Sequence, residues 1–350
     1  MTLSYGPVTC ALDLDSPGKR AGYFSLTHSD NRHEFSEIPA PLAVIRCGDG
    51  PTALVCAGNH GDEYEGQIIT RRLFERLDPE DVTGRLILAP ALNTPAVLDA
   101  ARVSPLDQGN MNRSFPGAED RGPTAALAGF VTTHLMPRAQ IALDLHSGGS
   151  ATDYLDCAYF CLSHDKALNG RTRELVETLA LPYTFVVPPG DTAGDFDAAA
   201  QDAGCAMLSC ELGGEGKVSL RALEAGWKGV LRVLAHEGVI TAKAAQRLGA
   251  DAAQPTAYLD FGAGAYRVTA RHHGLAEPLV QIGEPVAEGQ TVALLHDVHD
   301  LDAAPVPLVA QGPGRVAVRR HSVLVRPGDH LFEIAPELGG DDLERLLRAI

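Results

Sequence analysis

The sequence predicts an α/β fold, a mixed and largely parallel sheet flanked by helices, with a smaller C-terminal β domain. Two observations carry this. Short apolar runs rich in strand formers, at residues 52–57, 141–145 and 206–210, alternate with stretches of helical periodicity between about residues 40 and 245. Beyond residue 256 the texture changes to short Val, Leu and Ile segments punctuated by Gly283-Glu284-Pro285, Glu288-Gly289-Gln290, Gly312-Pro313-Gly314 and Pro327-Gly328-Asp329, a spacing that suggests antiparallel hairpins.

In chain order, residues 1–39 read as short polar and β-like pieces, a lead-in hairpin or an oligomer contact. Residues 40–245 carry the α/β layer. The run at 52–57 closes on glycine and gives way to a helical pattern over 64–77, with further helical patterns at 125–135 and 218–237. The runs are apolar at nearly every position, as expected of strands covered on both faces in a largely parallel sheet. Residues 242–255 read as a linker, 256–336 as the small β domain and 337–350 as a helical tail. The hairpin texture of 256–336 resembles a biotinyl or lipoyl sandwich. Lys243 is the last lysine, however, so this region has no amine for a carrier arm, and a cap over a cleft or a dimer contact is the expected role.

Composition fits an enzyme with a substantial core: 350 residues, 45% hydrophobic and 21% charged. Lys+Arg 29 against Asp+Glu 45 gives a net charge of -16, which disfavours nucleic acid and anionic membrane surfaces as partners. The 7 cysteines are odd in number and form no C-x-x-C pair; Cys56, Cys205 and Cys210 read as small core residues. The first residues lack a basic segment followed by an apolar core, and no stretch approaches the length of a membrane span. A reducing cytoplasm is the expected compartment.

Chemistry concentrates where the apolar runs end. His60 and Glu63 follow the first run in Gly58-Asn59-His60-Gly61-Asp62-Glu63, His146 ends the second before Ser147-Gly148-Gly149, and Glu211 ends the third before Leu212-Gly213-Gly214. Open α/β sheets place their ligand crevices at the carboxyl ends of strands. Taken singly, His-x-x-Glu is frequent by chance, and a histidine at a strand end is more often a hydrogen-bonded loop residue. Their joint placement reads instead as two imidazoles and a carboxylate holding Zn²⁺ with a fourth position open, the pattern of a catalytic site. Asp144 lies two residues before His146, on the same strand face, as a carboxylate that orients the imidazole or as a strand-end cap or ion pair.

These residues, together with Asn110-Met111-Asn112-Arg113-Ser114-Phe115-Pro116-Gly117 and Asp144-Leu145-His146, resemble the succinylglutamate desuccinylase and aspartoacylase family over nearly the whole chain. The run from Gly58 to Gln67 and the Asn112-Arg113-x-Phe115-Pro116-Gly117 signature are similar to the branch that deacetylates N-acetyl-L-2,4-diaminobutyrate in ectoine breakdown. The resemblance implies a zinc carboxypeptidase-like fold, one Zn²⁺ per subunit on His60, Glu63 and His146, a small-molecule N-acyl amino acid as substrate, and a homodimer. It implies Glu211 as general base and acid, Arg113 and Asn112 on the substrate carboxylate, and Arg102 on the oxyanion. The spacing from Arg102 to Asn112 is longer than in aspartoacylases.

Asp191, Asp195 and Asp197 sit in a glycine-containing loop before an alanine-rich helical segment, as solvated acids, helix caps or a partner for a cationic substrate side chain. Glu215 is a rival for the base. His272-His273, His296 and His299 lack a convincing partner set for a second metal. Alternatives to a deacetylase are an aspartoacylase or N-succinylglutamate desuccinylase, a zinc carboxypeptidase acting on peptides, and a non-catalytic ligand-binding relative.

Overall fold

The computed structural model describes residues 2–30, 33–190, 194–262 and 264–349. The chain opens with β1 (Leu3–Tyr5), β2 (Val8–Cys10) and a long hairpin of β3 (Gly18–Asp30) and β4 (His33–Arg46). There follow β5 (Thr52–Ala57), α1 (Glu65–Arg76), β6 (Arg85–Ala89), α2 (Thr94–Leu98), α3 (Pro123–Phe130), β7 (Ile141–His146), β8 (Thr152–Tyr154) and β9 (Cys157–Cys161). Next come α4 (Lys166–Leu179), β10 (Tyr183–Val187), α5 (Phe196–Asp202), β11 (Ala206–Glu211), α6 (Leu220–His236), α7 (Ala242–Arg247) and β12 (Ala257–Asp260). The rest is β13 (Tyr266–Thr269), β14 (Gly274–Pro278), β15 (Pro285–Val286), β16 (Thr291–His296), β17 (Val306–Val309), β18 (Gly314–Arg320), β19 (Leu324–Val325), β20 (His330–Ala335) and α8 (Gly340–Ala349).

An 11-stranded sheet in the order β1-β2-β3-β4-β6-β5-β7-β11-β9-β10-β12 forms the body of the molecule. At its centre β6, β5, β7 and β11 are parallel; β9, β10 and β12 form a second parallel block, antiparallel to β11. The central strands are buried on both faces, and their alternation sorts side chains into two cores. Ala53, Val55, Leu143 and Leu208 pack with α1, α4 and α6; Leu54, Cys56, Ala142 and Met207 pack on the other side with α3 and α5. Covering both faces in this way is what makes the runs apolar at nearly every position.

Four of the helices start where local chemistry supplies caps. Asp165, Asp195, Ser219 and Thr241 each accept a backbone N–H at the head of α4, α5, α6 and α7. Thr241 thereby starts a short helix inside the segment expected to be a plain linker.

The remaining strands form antiparallel sheets, β13-β20-β18-β15 and β17-β16-β14-β19, around a core that includes Val268, Val292, Phe332 and Ile334. Two departures from the expected boundaries matter for the site. β12, expected to belong to the small β unit, adds in parallel to β10 at the edge of the main sheet. β8 leaves the α/β layer and pairs with β18, Arg319 opposite Asp153. The cause is visible in the pattern: β8 is a short, half-buried Thr-Asp-Tyr segment with no apolar run to hold it in the main sheet.

Candidate functional site

β5, β7 and β11 are adjacent and parallel, so their carboxyl ends open on one edge of the sheet. His146 ends β7, Glu211 ends β11, and the two are direct register partners. His60 and Glu63 lie in the loop between β5 and α1. That loop is closely packed. A Cβ on Gly61 would stand 2.0 Å from the Ala96 carbonyl oxygen, and one on Gly66 2.3 Å from that of Leu145, so both positions require glycine.

The predicted ligands meet around Glu63. Its Oε1 is 2.6 Å from His60 Nδ1 and its Oε2 is 2.7 Å from His146 Nδ1. All three side chains are buried, with ligand atoms within 4.8 Å of one another. Each ring's other nitrogen is engaged as well: His60 Nε2 is 3.1 Å from Asn110 Oδ1, and His146 Nε2 is 2.8 Å from Asp144 Oδ2. Those partners are oxygen acceptors, so Nε2 donates in each ring and the Nδ1 atoms face the carboxylate. Two imidazole nitrogens and a carboxylate aimed at one point fit a divalent cation. Among the described residues this is the one such cluster.

Charge is balanced within the cluster. Burial resists ionisation of Glu63, but the His60 and His146 rings hold its carboxyl well below the usual carboxylate range. Burial also resists a charge on His146, yet Asp144 and Glu63 push it well above an ordinary imidazole. A cation entering the site must therefore displace a proton.

Glu211 differs from its neighbours. Its Oε2 is buried and has no hydrogen-bond partner among the described residues. Burial, then the charge of Glu63, pushes its carboxyl up to about 8, against the opposing pull of His146 and Arg102. Arg102 is half-exposed, with Nη1 3.5 Å from Glu63 Oε1. Asn112 Oδ1 accepts from Phe196 N at 2.9 Å and from Asn59 Nδ2 at 3.3 Å. Arg113 is exposed; its Nη1 donates to the Asn112 carbonyl, and it has no ion-pair partner among the described residues.

Asp195 and Asp197 are both buried. Asp195 caps α5, and burial together with Asp197 pushes it up to about 7, countered in part by Arg113. Asp197 Oδ2 accepts from Ser209 Oγ at 2.7 Å. Asp191 lies outside the described residues. Glu215 is already engaged, by Lys217 at 2.5 Å and Arg319 at 2.9 Å, and these contacts hold it below the usual carboxylate range, unlike a base awaiting a proton. His296 pairs with Glu277 at 2.8 Å.

Two asparagines in the site were not singled out in the sequence. Asn110 holds His60 Nε2, and Asn59 Nδ2 donates to Asp144 Oδ2 at 2.9 Å as well as to Asn112. Each stands inside a motif quoted for a charged neighbour, and that adjacency was the available signal.

The catalytic domain model of the succinylglutamate desuccinylases and aspartoacylases matches residues 49–237. N-alpha-acetyl-L-2,4-diaminobutyric acid deacetylase of Halomonas elongata is 35% identical over 329 residues, 94% of this chain and 95% of that protein. The chain belongs to the succinylglutamate desuccinylase/aspartoacylase family. Two solved structures agree with this chain over nearly their whole length. The product-bound ectoine utilization protein EutE (DoeB) of Ruegeria pomeroyi superposes with a TM-score of 0.89 at 34% identity, over 95% of this chain and 99% of that one. A succinylglutamate desuccinylase from Silicibacter sp. TM1040 gives 0.90 at 33% identity, over 96% and 100%. Among the described residues, no helix of this family member is long and apolar enough to cross a membrane.

Proposed function

We propose that this protein is a zinc-dependent amidohydrolase that removes the acetyl group from N-acetyl-L-2,4-diaminobutyrate, a step of ectoine breakdown. The observation that carries the reading is the convergence of His60, Glu63 and His146, with Glu211, whose Oε2 has no hydrogen-bond partner among the described residues, in register beside His146. The 35% identity to the Halomonas elongata deacetylase supports the choice of acyl group and amine. A reducing cytoplasm is the proposed compartment, and a homodimer is the assembly the family resemblance implies.

When bound, the cation supplies Lewis acidity that polarises the acetyl carbonyl and acidifies nearby water. Glu211 takes a proton from the attacking water and returns it to the departing nitrogen as the C–N bond breaks, giving acetate and 2,4-diaminobutyrate. Arg102 donates to the oxygen that gains charge. Arg113, uncommitted to any acid among the described residues, grips the substrate carboxylate with two parallel bonds. Asn112 has its Nδ2 left to donate, since Oδ1 is occupied by Phe196 and Asn59. Asp144 holds the His146 ring. Asp195, beside Arg113, is placed to meet a cationic side chain.

The test is amine release from a panel of N-acetyl and N-succinyl amino acids, with and without a chelator. Fastest turnover of N-acetyl-L-2,4-diaminobutyrate, lost on chelation and restored by Zn²⁺, is expected. Preference for succinylated substrates, or activity that survives chelation, would reject the assignment.

A further inference from the structure

We propose that Arg319, contributed by the C-terminal sheets, is a positioning residue for this hydrolysis, locking together the loops that follow His146 and Glu211. Arg319 Nη2 lies 2.9 Å from Glu215 Oε1 and 3.4 Å from Asp153 Oδ2. Asp153 is its register partner across β8 and β18, and Glu215 lies in the turn that follows Glu211. All three side chains are partly buried, at 22%, 18% and 14% exposure for Arg319, Asp153 and Glu215, so solvent screens the contact less than it would a surface pair.

The backbone around them forms one unit. Gly148 N donates to Gly213 O at 2.9 Å, Glu215 N to Thr152 O at 2.9 Å, and Gly216 N to Gly149 O at 2.7 Å. Glu215 takes a φ of 63°, a left-handed conformation that a residue with a Cβ keeps only where its surroundings hold it. Lys217 and His321 also approach Glu215, but among the described residues Arg319 is the cation bonded to both acids. β8 further carries Tyr154, whose acidity is reduced by burial and then by the charge of Glu211. Releasing Arg319 frees both loops, and with them the placement of Glu211 against His146.

The inference rests on the proposed function, and its test has a readout that does not. In zinc-loaded full-length protein, Arg319→Met and Glu215→Gln are each expected to lower kcat on N-acetyl-L-2,4-diaminobutyrate about tenfold with zinc content and KM little changed, because a misplaced catalytic group costs rate more than binding. The double variant should be no slower than either single one, and Arg319→Lys should recover part of the loss. In hydrogen exchange, the Glu215 and Gly216 amides should exchange about tenfold faster in Arg319→Met while those of β5 stay protected. Unchanged exchange, kcat within about twofold of the parent, or losses that multiply in the double variant would each overturn the lock. If the parent protein does not hydrolyse the substrate, the functional reading fails while exchange still decides the role of Arg319.

Discussion

Asp144 Oδ2 lies 2.8 Å from His146 Nε2, two positions along the same face of β7, and the same oxygen accepts from Asn59. The imidazole is thus fixed in one orientation with Nδ1 towards Glu63. Asp144→Asn keeps the shape but removes the charge and weakens the acceptor. We expect metal affinity to fall roughly 10- to 100-fold, measured by competition with a chromogenic chelator.

Glu211→Gln should leave His60, Glu63 and His146 untouched and remove the proposed proton carrier. The expected loss in kcat is about 10²- to 10⁴-fold, with metal content by elemental analysis unchanged. Retention of activity would identify a different base.

Metal loading should release protons. In the metal-free protein Asp144 and Glu63 raise His146 well above its ordinary value, so a proton competes with the cation for this site. Affinity should therefore climb as pH rises across the neutral range. Calorimetric titrations in buffers of different ionisation enthalpy will count the protons.

Asp195 has a cost in stability and a proposed use in binding. Burial and Asp197 raise it to about 7, so the folded state favours its neutral form. The stabilisation from that bound proton is complete below the unfolded value of about 4 and is lost as pH rises through about 7. Asp195→Asn keeps a helix cap and removes the buried charge. We expect it to gain about 1–3 kcal/mol at pH 8 relative to pH 4, in denaturant titrations at the two pH values. Its KM for N-acetyl-L-2,4-diaminobutyrate should rise while that for an N-acetyl amino acid with a neutral side chain stays level.

Gly66→Ala tests the packing beneath the ligand loop. The added Cβ would approach the Leu145 carbonyl to 2.3 Å, next to His146, and backbone must move to admit it. A loss of about 1–3 kcal/mol in thermal stability is expected, with weaker metal binding.

Much of this was legible in the sequence because buried parallel strands and their polar terminations leave a plain trace. β5, β7 and β11 are apolar at nearly every position, and a histidine or glutamate at such a run's end has few reasons to be there. The remainder depended on lateral placement, which linear order does not encode. β8 and β12 are too short and too mixed in polarity to announce which sheet they join, and pairing with β18 and β10 decided it. The roles of Asn59 and Asn110 were equally hidden, since an amide is ordinary in a loop until a ring nitrogen is found against it. Thr241 as the cap of α7 was readable from residue type alone.

The exchange of strands between sheets governs how the polypeptide can be divided. Trimming the chain after residue 255 would strip β12 from the rim of the large sheet and leave β8 with a bare hydrogen-bonding edge beside the cleft. Neither fragment would be a self-sufficient module, so nicking the 251–255 segment with a protease should yield two pieces that stay associated and must be denatured to part.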